Sequence, residues 1–271
     1  MFKTRFISGI FLVIFLLVTI IPGGYILAAA TCVLALIAFR ELLKACGLNG
    51  YIEIVGYIGI VAYYIAMVFG QDHMWLLMTV FAVLIVFMGV YVFTFPKYTA
   101  VEIMRSFFCF AYGPLMLGFV YLTRQLEYGA YIVWIIFAAS WGCDTAAYCV
   151  GMLLGKHKLA PTLSPKKSIE GAIGGVAGAA LLGGLFAYFV IRPYAGAQNA
   201  TLPIIIISAI GAVISQIGDL AASGIKRNES IKDYGKLIPG HGGVMDRFDS
   251  VIFVAPVIYF LSLLMLGGLG K

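Results

Sequence analysis

The chain has 271 residues, of which 62% are hydrophobic and only 11% are charged, and its mean hydropathy is +1.03. Soluble domains average about 25% charged residues, so this composition excludes an ordinary soluble protein and indicates an integral membrane protein. The net charge of +6 does not indicate nucleic-acid binding, because the basic residues lie in short loops between apolar segments, where membrane topology accounts for them. The apolar runs are long and continuous, which favours helices over alternating barrel strands.

Hydropathy predicts about nine transmembrane helices, since a span needs roughly 20 apolar residues. The turn Pro22-Gly23-Gly24 separates the first two helices. The predicted spans are residues 6–21, 25–39, 51–69, 74–94, 107–123, 130–151, 171–191, 203–224 and 250–269. The predicted fold class is therefore an all-α integral membrane protein.

Basic residues divide unequally between the two sets of alternate loops. All but three of the 18 lysines and arginines fall on one side, the exceptions being Arg124, Arg192 and Lys271. Cytoplasmic loops are enriched in Lys and Arg, so the richer side is predicted to be cytoplasmic. The N-terminus is then inside and the C-terminus outside.

Four aspartates are predicted to lie near the cytoplasmic ends of three helices. Asp144 falls in the sixth span and Asp219 in the eighth, while Asp246 and Asp249 open the ninth. An ionised carboxylate is costly in hydrocarbon unless it is paired or metal-bound, so this arrangement favours a functional site. Carboxylate oxygens suit Mg²⁺, which commonly takes one or two of them together with substrate phosphates. The alternative is a set of salt bridges, for example with Arg247.

Two basic pairs accompany these acids. Lys226 and Arg227 belong to a charged island, Ser223–Asp249, that lies between two apolar segments, and Lys166 and Lys167 precede the seventh span. Such a pair alone is most often a topology anchor or a lipid-headgroup contact. Beside four carboxylates, the pairs gain a second use, because Lys and Arg donors bind and neutralise polyphosphates.

The segment Pro239–Gly243 reads as a turn with positive-φ positions. It leads directly to Asp246 and so sets the start of the last helix. His241, inside the turn, has three open roles: phosphate binding, proton transfer or a hydrogen bond within the turn.

The charged island resembles the signature of the phosphatidate cytidylyltransferase (CDP-diacylglycerol synthase) family. The similarity runs without departure through Ser223, Lys226-Arg227, Lys232-Asp233, Gly235, Pro239, His241-Gly242-Gly243, Asp246-Arg247 and Asp249. A second similarity covers Asp144-Thr145, Gly155-Lys156, Ser164-Pro165-Lys166-Lys167-Ser168 and Glu170-Gly171. The resemblance therefore spans the C-terminal half of the chain, whereas the first 125 residues or so share only hydropathy.

The resemblance implies an enzyme of phospholipid biosynthesis that transfers the cytidylyl group of CTP to phosphatidate, giving CDP-diacylglycerol and pyrophosphate. It also implies Mg²⁺ dependence, an all-helical membrane fold and a homodimer. From the residues, Asp144 is expected to support a second cation, and the basic loops predict an active site on the cytoplasmic side of the bacterial inner membrane. The residues fit that chemistry, and we expect the metal ligands, also catalytic, to be Asp144, Asp219, Asp246 and Asp249, with Lys226 and Arg227 as catalytic cations. The expected substrate-binding residues are Lys166, Lys167, Ser168, Ser223, His241 and Arg247.

Two regions follow from this distribution. Residues 126–271 are expected to form the catalytic bundle, with cytoplasmic loops at 152–170 and 225–249. Residues 1–125 are expected to serve packing, dimerisation or lipid contact. In the catalytic region, Gly174 and Gly178 form a GxxxG, which predicts close helix packing rather than a phosphate-cradling loop.

Other function classes remain open from the residues alone. An ion-coupled transporter would also place aspartates in spans, although transport sites favour the bilayer midplane. A CTP-dependent polyprenol or phytol kinase would use the same nucleotide but release CDP instead of pyrophosphate. A purely structural scaffold is disfavoured by the four carboxylates.

Overall fold

The computed structural model describes residues 2–70, 72 and 74–266, with residues 2–6 described in their backbone alone. Across these residues the chain forms nine helices: α1 (Phe2–Ile20), α2 (Gly24–Ala45), α3 (Tyr51–Phe69), α4 (Met74–Thr94), α5 (Ala100–Arg124), α6 (Gly129–Leu154), α7 (Ile169–Ala195), α8 (Thr201–Asn228) and α9 (Met245–Leu266). The helices α2 to α9 are long and apolar enough to cross a membrane, and α1 contributes a shorter apolar stretch, Ile7–Ile20. The predicted all-α membrane class is confirmed.

The helix ends show where hydropathy alone falls short. Helices α3 and α4 begin and end at the predicted residues. Helix α2 continues past residue 39 to Ala45, and α8 continues to Asn228, so two charged helix ends extend beyond the apolar runs. Lys226 and Arg227 therefore lie in the last turn of α8, where the helix dipole favours cations. Residues 267–271, with the end of the ninth predicted span, lie outside the described residues.

A short antiparallel hairpin lies between α6 and α7, in a segment that the sequence predicts only as a loop. Strand β1 (Lys158–Ala160) pairs with β2 (Ser164–Ser168), so that Lys158 lies opposite Ser168. The hairpin holds the Lys166-Lys167 pair in an extended backbone at the start of α7.

In the described part of the chain, three helices contain a π-helical turn: Ala111–Leu115 in α5, Ala138–Gly142 in α6 and Ala187–Ile191 in α7. Such turns insert an extra residue and change the face on which the following residues lie, frequently at functional sites. The turn in α6 ends immediately before Cys143 and Asp144. The direction of the Asp144 side chain therefore depends on this π-helical turn and cannot be predicted from the regular 3.6-residue period of an α-helix.

The chain divides into two compact units. Unit one comprises residues 1–121 and 229–247, and unit two comprises residues 122–228 and 248–271. Unit one has an aromatic core in which Phe39, Phe87 and Phe110 are fully buried. The charged island is thus divided, because most of it belongs to unit one whereas Asp249 belongs to unit two.

Small residues let α6 and α7 approach closely within unit two. A Cβ added at Gly174 would lie 2.5 Å from the Val150 side chain, and one at Gly178 would lie 2.4 Å from Ala146 Cβ. No side chain fits at either position without displacing the facing helix. The predicted packing role of this GxxxG is confirmed.

Candidate functional site

A cavity of about 480 Å³ in unit two brings together five of the residues that the sequence singles out. Asp144 reaches it from α6, Asp219 from α8, and Lys166, Lys167 and Ser168 from β2 and its end. The other walls include apolar side chains, among them Ala147, Tyr148, Met152 and Leu159. Acidic, basic and apolar surfaces therefore meet in one cavity.

The ammonium group of Lys167 contacts Oδ2 of Asp219 across this cavity. The two side chains are 25% and 26% exposed, so each remains reachable from outside the protein. Their opposite charges compensate each other within the cavity. An anionic ligand can bind Lys167 in place of Asp219, and a metal ion can bind Asp219 in place of Lys167.

The base of the hairpin is tied to the first turn of α7. The Glu170 carboxylate accepts the backbone N–H of Lys156 at 3.1 Å and lies 2.6 Å from the His157 ring Nδ1. The Ser168 hydroxyl accepts the N–H of Gly171 at 3.1 Å and caps α7. These contacts orient β2, and with it Lys166 and Lys167, towards the cavity.

Asp249 is the most deeply placed of the acids in unit two. Its side chain is 9% exposed, and Oδ1 accepts the backbone N–H of Ser250 at 2.8 Å. It interacts electrostatically with Asp219, Asp144 and Lys226. Three of the four predicted metal ligands therefore share one electrostatic environment, with Lys226 as a cation beside them.

The carboxylates of unit two fit a Mg²⁺ site in which the protein supplies only some of the ligands. In the described part of the chain, no three His, Cys, Asp or Glu side chains are close enough to enclose a metal ion. Mg²⁺ does not require such a cage, because it usually retains waters and takes one or two carboxylates plus substrate phosphates. Asp219 and Asp249, with hard oxygen donors next to lysines that attract phosphate, fit this second arrangement.

Asp246 has a different environment, in unit one. It is 6% exposed, and its Oδ2 accepts backbone N–H groups from Tyr234 at 2.8 Å, Gly243 at 3.0 Å and Gly235 at 3.4 Å. One carboxylate oxygen thereby holds together two distant parts of residues 229–247, a segment called here the 229–247 loop although residues 245–247 form the first turn of α9. The side chain that the sequence predicts as a metal ligand is thus also the centre of the loop's hydrogen bonds.

The same loop forms a second cavity, of about 510 Å³, within unit one. Its lining includes Lys232, Lys236, His241 and Arg247. The His241 ring Nδ1 lies 2.7 Å from the Ser8 hydroxyl of α1, and that hydroxyl also donates to the Pro239 carbonyl at 3.0 Å. Two predicted substrate-binding residues, His241 and Arg247, therefore lie on a basic concave surface.

The remaining predicted residues are on α8. Ser223, Lys226 and Arg227 lie in its last two turns. Among the described residues, none of these three is part of the lining of the 480 Å³ cavity. Of the three, Lys226 has an electrostatic interaction with one of the acids, Asp249.

The structure adds two polar residues that the sequence analysis missed. Gln216 lines the cavity of unit two and donates to the Ala172 carbonyl at 3.0 Å, joining α8 to α7. Glu41 on α2 is buried against the start of α9. Glu41 was detectable, because it follows Ala38 by three residues and so shares a helix face with the buried positions of α2.

Comparisons with known proteins agree with this picture. The model of the cytidylyltransferase family matches residues 3–265. A protein of Staphylococcus saprophyticus named phosphatidate cytidylyltransferase is 32% identical over 263 residues, covering 96% of this chain and 98% of the relative. Proteins of the same name from Staphylococcus epidermidis and Staphylococcus aureus are each 31% identical, with the same coverage. The resemblance found in the sequence is confirmed: the chain belongs to the cytidylyltransferase family.

Proposed function

We propose that this chain is a phosphatidate cytidylyltransferase, which joins CTP and phosphatidate to give CDP-diacylglycerol and pyrophosphate. The observation that carries the proposal is the Lys167–Asp219 contact in a cavity whose other walls are largely apolar. A cation and an acid suited to metal-bound phosphates thus lie beside a surface suited to lipid. The names of the Staphylococcus relatives support the same activity.

The reaction needs little acid–base chemistry from the protein. A phosphatidate phosphate oxygen attacks the α-phosphorus of CTP, and the bond from that phosphorus to the β-phosphate oxygen breaks. The attacking oxygen is already anionic at neutral pH, and pyrophosphate leaves as an anion, so no proton must be removed first. The main barrier is the approach of two anions, which cations and precise positioning lower.

The basic side chains take the phosphates in this proposal. Lys167 leaves Asp219 to bind a substrate phosphate, and Lys166 and Ser168 assist from the same strand end. Lys226 and Arg227, at the end of α8, neutralise the pyrophosphate leaving group.

Three further groups are proposed to bind substrate by hydrogen bonding and charge. His241 and Arg247 are proposed for a substrate phosphate because they line the basic cavity within unit one. Ser223 supplies a hydrogen bond from the last turns of α8. No side chain in this assignment acts as a general base, which agrees with the anionic nucleophile.

The carboxylates hold the metal. Asp219 and Asp249 are the proposed Mg²⁺ ligands, and Asp144 supports a second cation. Asp246, three residues before Asp249 on α9, is proposed as a further ligand. When bound, Mg²⁺ neutralises the triphosphate and stabilises the charge that develops on the leaving group. Asp219 has a second task, because it holds Lys167 within the cavity before substrate arrives.

The membrane setting follows from the cavity's apolar wall. Tyr148 and Met152 line the cavity and are 69% and 66% exposed, respectively. This wall of the cavity is therefore also part of the outer surface of the protein. In a bilayer, phosphatidate can then reach the cavity sideways with its chains in lipid. We place the site on the cytoplasmic side of a bacterial inner membrane, where CTP is present, in a protein that acts as a homodimer.

The experiment that tests this reaction follows the fate of individual phosphates. Purified protein in phosphatidate-containing vesicles is given Mg²⁺ and CTP labelled either at the α-phosphorus or at the γ-phosphorus. The proposal predicts α-label in lipid and γ-label in pyrophosphate. Transfer of the γ-label to a polyprenol or phytol acceptor would instead identify a kinase, and ion uptake without CTP consumption would identify a transporter.

A further inference from the structure

Glu41 of α2 is a buried carboxylate that caps a helix far away in the sequence. It is 8% exposed, and its two oxygens accept the backbone N–H groups of Val244 at 3.1 Å and Met245 at 2.8 Å. These groups lie at the beginning of α9, where N–H groups lack partners within the helix. A carboxylate is also favoured there by the positive end of the helix dipole.

Two glycines of the 229–247 loop lie so close to this carboxylate that neither could carry a side chain. A Cβ added at Gly235 would lie 2.1 Å from Glu41 Oε1, and one added at Gly243 would lie 2.3 Å from it. The N–H groups of the same two glycines point to Asp246 Oδ2. The loop is thus enclosed between two carboxylates, with Glu41 on one side and Asp246 on the other.

We propose that Glu41 is a positioning residue, which fixes the first turn of α9 and thereby sets the direction of Asp246. One of its hydrogen bonds is to the N–H of Met245, the residue immediately before Asp246. A displacement of the Met245 backbone would therefore also move the Asp246 carboxylate. This inference assigns a role in the reaction to the N-terminal region, through α2. Its activity readout rests on the proposed function, whereas its structural readout does not.

The structural readout is hydrogen exchange of the Val244 and Met245 amides. Glu41→Gln keeps the size of the side chain but offers one acceptor oxygen in place of two, so one of these amides loses its partner. We expect exchange in the peptide spanning these residues to become several-fold faster in detergent-solubilised Glu41→Gln protein, since one hydrogen bond contributes about 1 kcal/mol. Unchanged exchange would overturn the proposed contact, whether or not the protein turns over CTP.

The activity readout separates positioning from general destabilisation. Groups that orient metal ligands typically change affinity or activity about 10- to 100-fold. We therefore expect Glu41→Gln to lower kcat and to raise the Mg²⁺ concentration for half-maximal activity, with the KM for phosphatidate and the melting temperature nearly unchanged. Unchanged kcat and Mg²⁺ dependence, in protein whose exchange has increased, would overturn the positioning role.

Glu53→Gln is the matched control, because it also removes a helix carboxylate from unit one. Glu53 accepts the Tyr57 hydroxyl at 2.7 Å and lies 3.9 Å from Arg40. It should leave kcat and the Mg²⁺ dependence unchanged. An equal effect of Glu53→Gln would contradict a specific role for Glu41.

A second pair of variants tests the same contact from the opposite side. Gly243→Ala pushes a methyl group against an intact Glu41 carboxylate and should also lower kcat. In a Glu41→Ala background that methyl group finds space, so the double variant should lose no more activity than the worse single one. Multiplying losses would show that the two residues act independently and would contradict the inference. If the wild type makes no CDP-lipid, the proposed function fails, and the exchange experiment still tests Glu41.

Discussion

Lys167 of strand β2 and Asp219 of helix α8 form an ion pair at the cavity of unit two. Because each side chain keeps about a quarter of its surface exposed, solvent screens part of this attraction, and the pair contributes only modestly to stability. Holding the fold together is therefore a minor consequence of this contact. Its larger consequence is to keep one cation and one carboxylate together at the surface that the substrates must reach.

Replacing the carboxylate tests the acidic partner. Asp219→Asn should lower CDP-lipid formation at least about 100-fold, the scale of losing a charge-stabilising group. The melting temperature in detergent should change little, because the amide has nearly the same shape. Asp72→Asn, the same replacement at an exposed residue of unit one, should keep normal activity. Near-normal turnover in well-folded Asp219→Asn protein would reject the assignment.

Replacing the cation tests the hairpin. Lys167→Met should reduce kcat/KM by about 100-fold or more, because it removes a donor to substrate phosphate. Lys158→Met is the control, since Lys158 is an exposed lysine on the neighbouring strand β1. Equal losses in both variants would mean that the overall charge of the hairpin, rather than the place of Lys167, determines the rate.

The buried acid of α9 should control metal affinity. Asp249→Asn removes a negative charge that interacts with Asp219 and Asp144. We expect the Mg²⁺ concentration for half-maximal activity to rise about 10- to 100-fold. Titrating activity with Mg²⁺ after EDTA treatment measures this shift. A Mg²⁺ curve identical to that of the wild type would remove Asp249 from the metal site.

The α6–α7 contact should tolerate no added side chain. A Cβ at Gly175 would lie 2.9 Å from Cys143 Sγ and 3.0 Å from the Ala147 Cβ. Gly175→Ala should therefore destabilise the protein by about 1–3 kcal/mol, as overpacking does, and lower its melting temperature in detergent. Gly89→Ala on α4 is the control, because its Cβ would meet only Phe93, at 4.0 Å. Equal melting temperatures for the two variants would show that the contact is loose.

Hydropathy predicted helices well where an apolar run ends in turn residues. Helix α3 begins after Gly50 and ends before Gly70, and both ends match the prediction. Helix α2 exceeded it because its last turns contain Arg40, Glu41 and Lys44, which a hydropathy window excludes although the backbone remains helical. Charge at a helix end marks where the apolar run stops, not where the helix stops.

The candidate site was predictable in its residue types but not in its partnerships. Spacing and resemblance indicated Asp219 and Lys167, yet neither gives the contact between them, which depends on the β2 hairpin. Asp246 was predicted for its carboxylate, while its hydrogen bonds with the 229–247 loop depend on loop geometry. Long-range contacts such as Glu41 with Met245 have no signal in the local sequence period.

The most direct measurement is turnover of the purified wild-type protein with phosphatidate and CTP, with Mg²⁺ and with EDTA, following lipid and soluble products together. The proposed function predicts CDP-diacylglycerol and pyrophosphate in equal amounts, only when Mg²⁺ is present. Release of CDP with a phosphorylated lipid alcohol, or no consumption of CTP by folded protein, would contradict it.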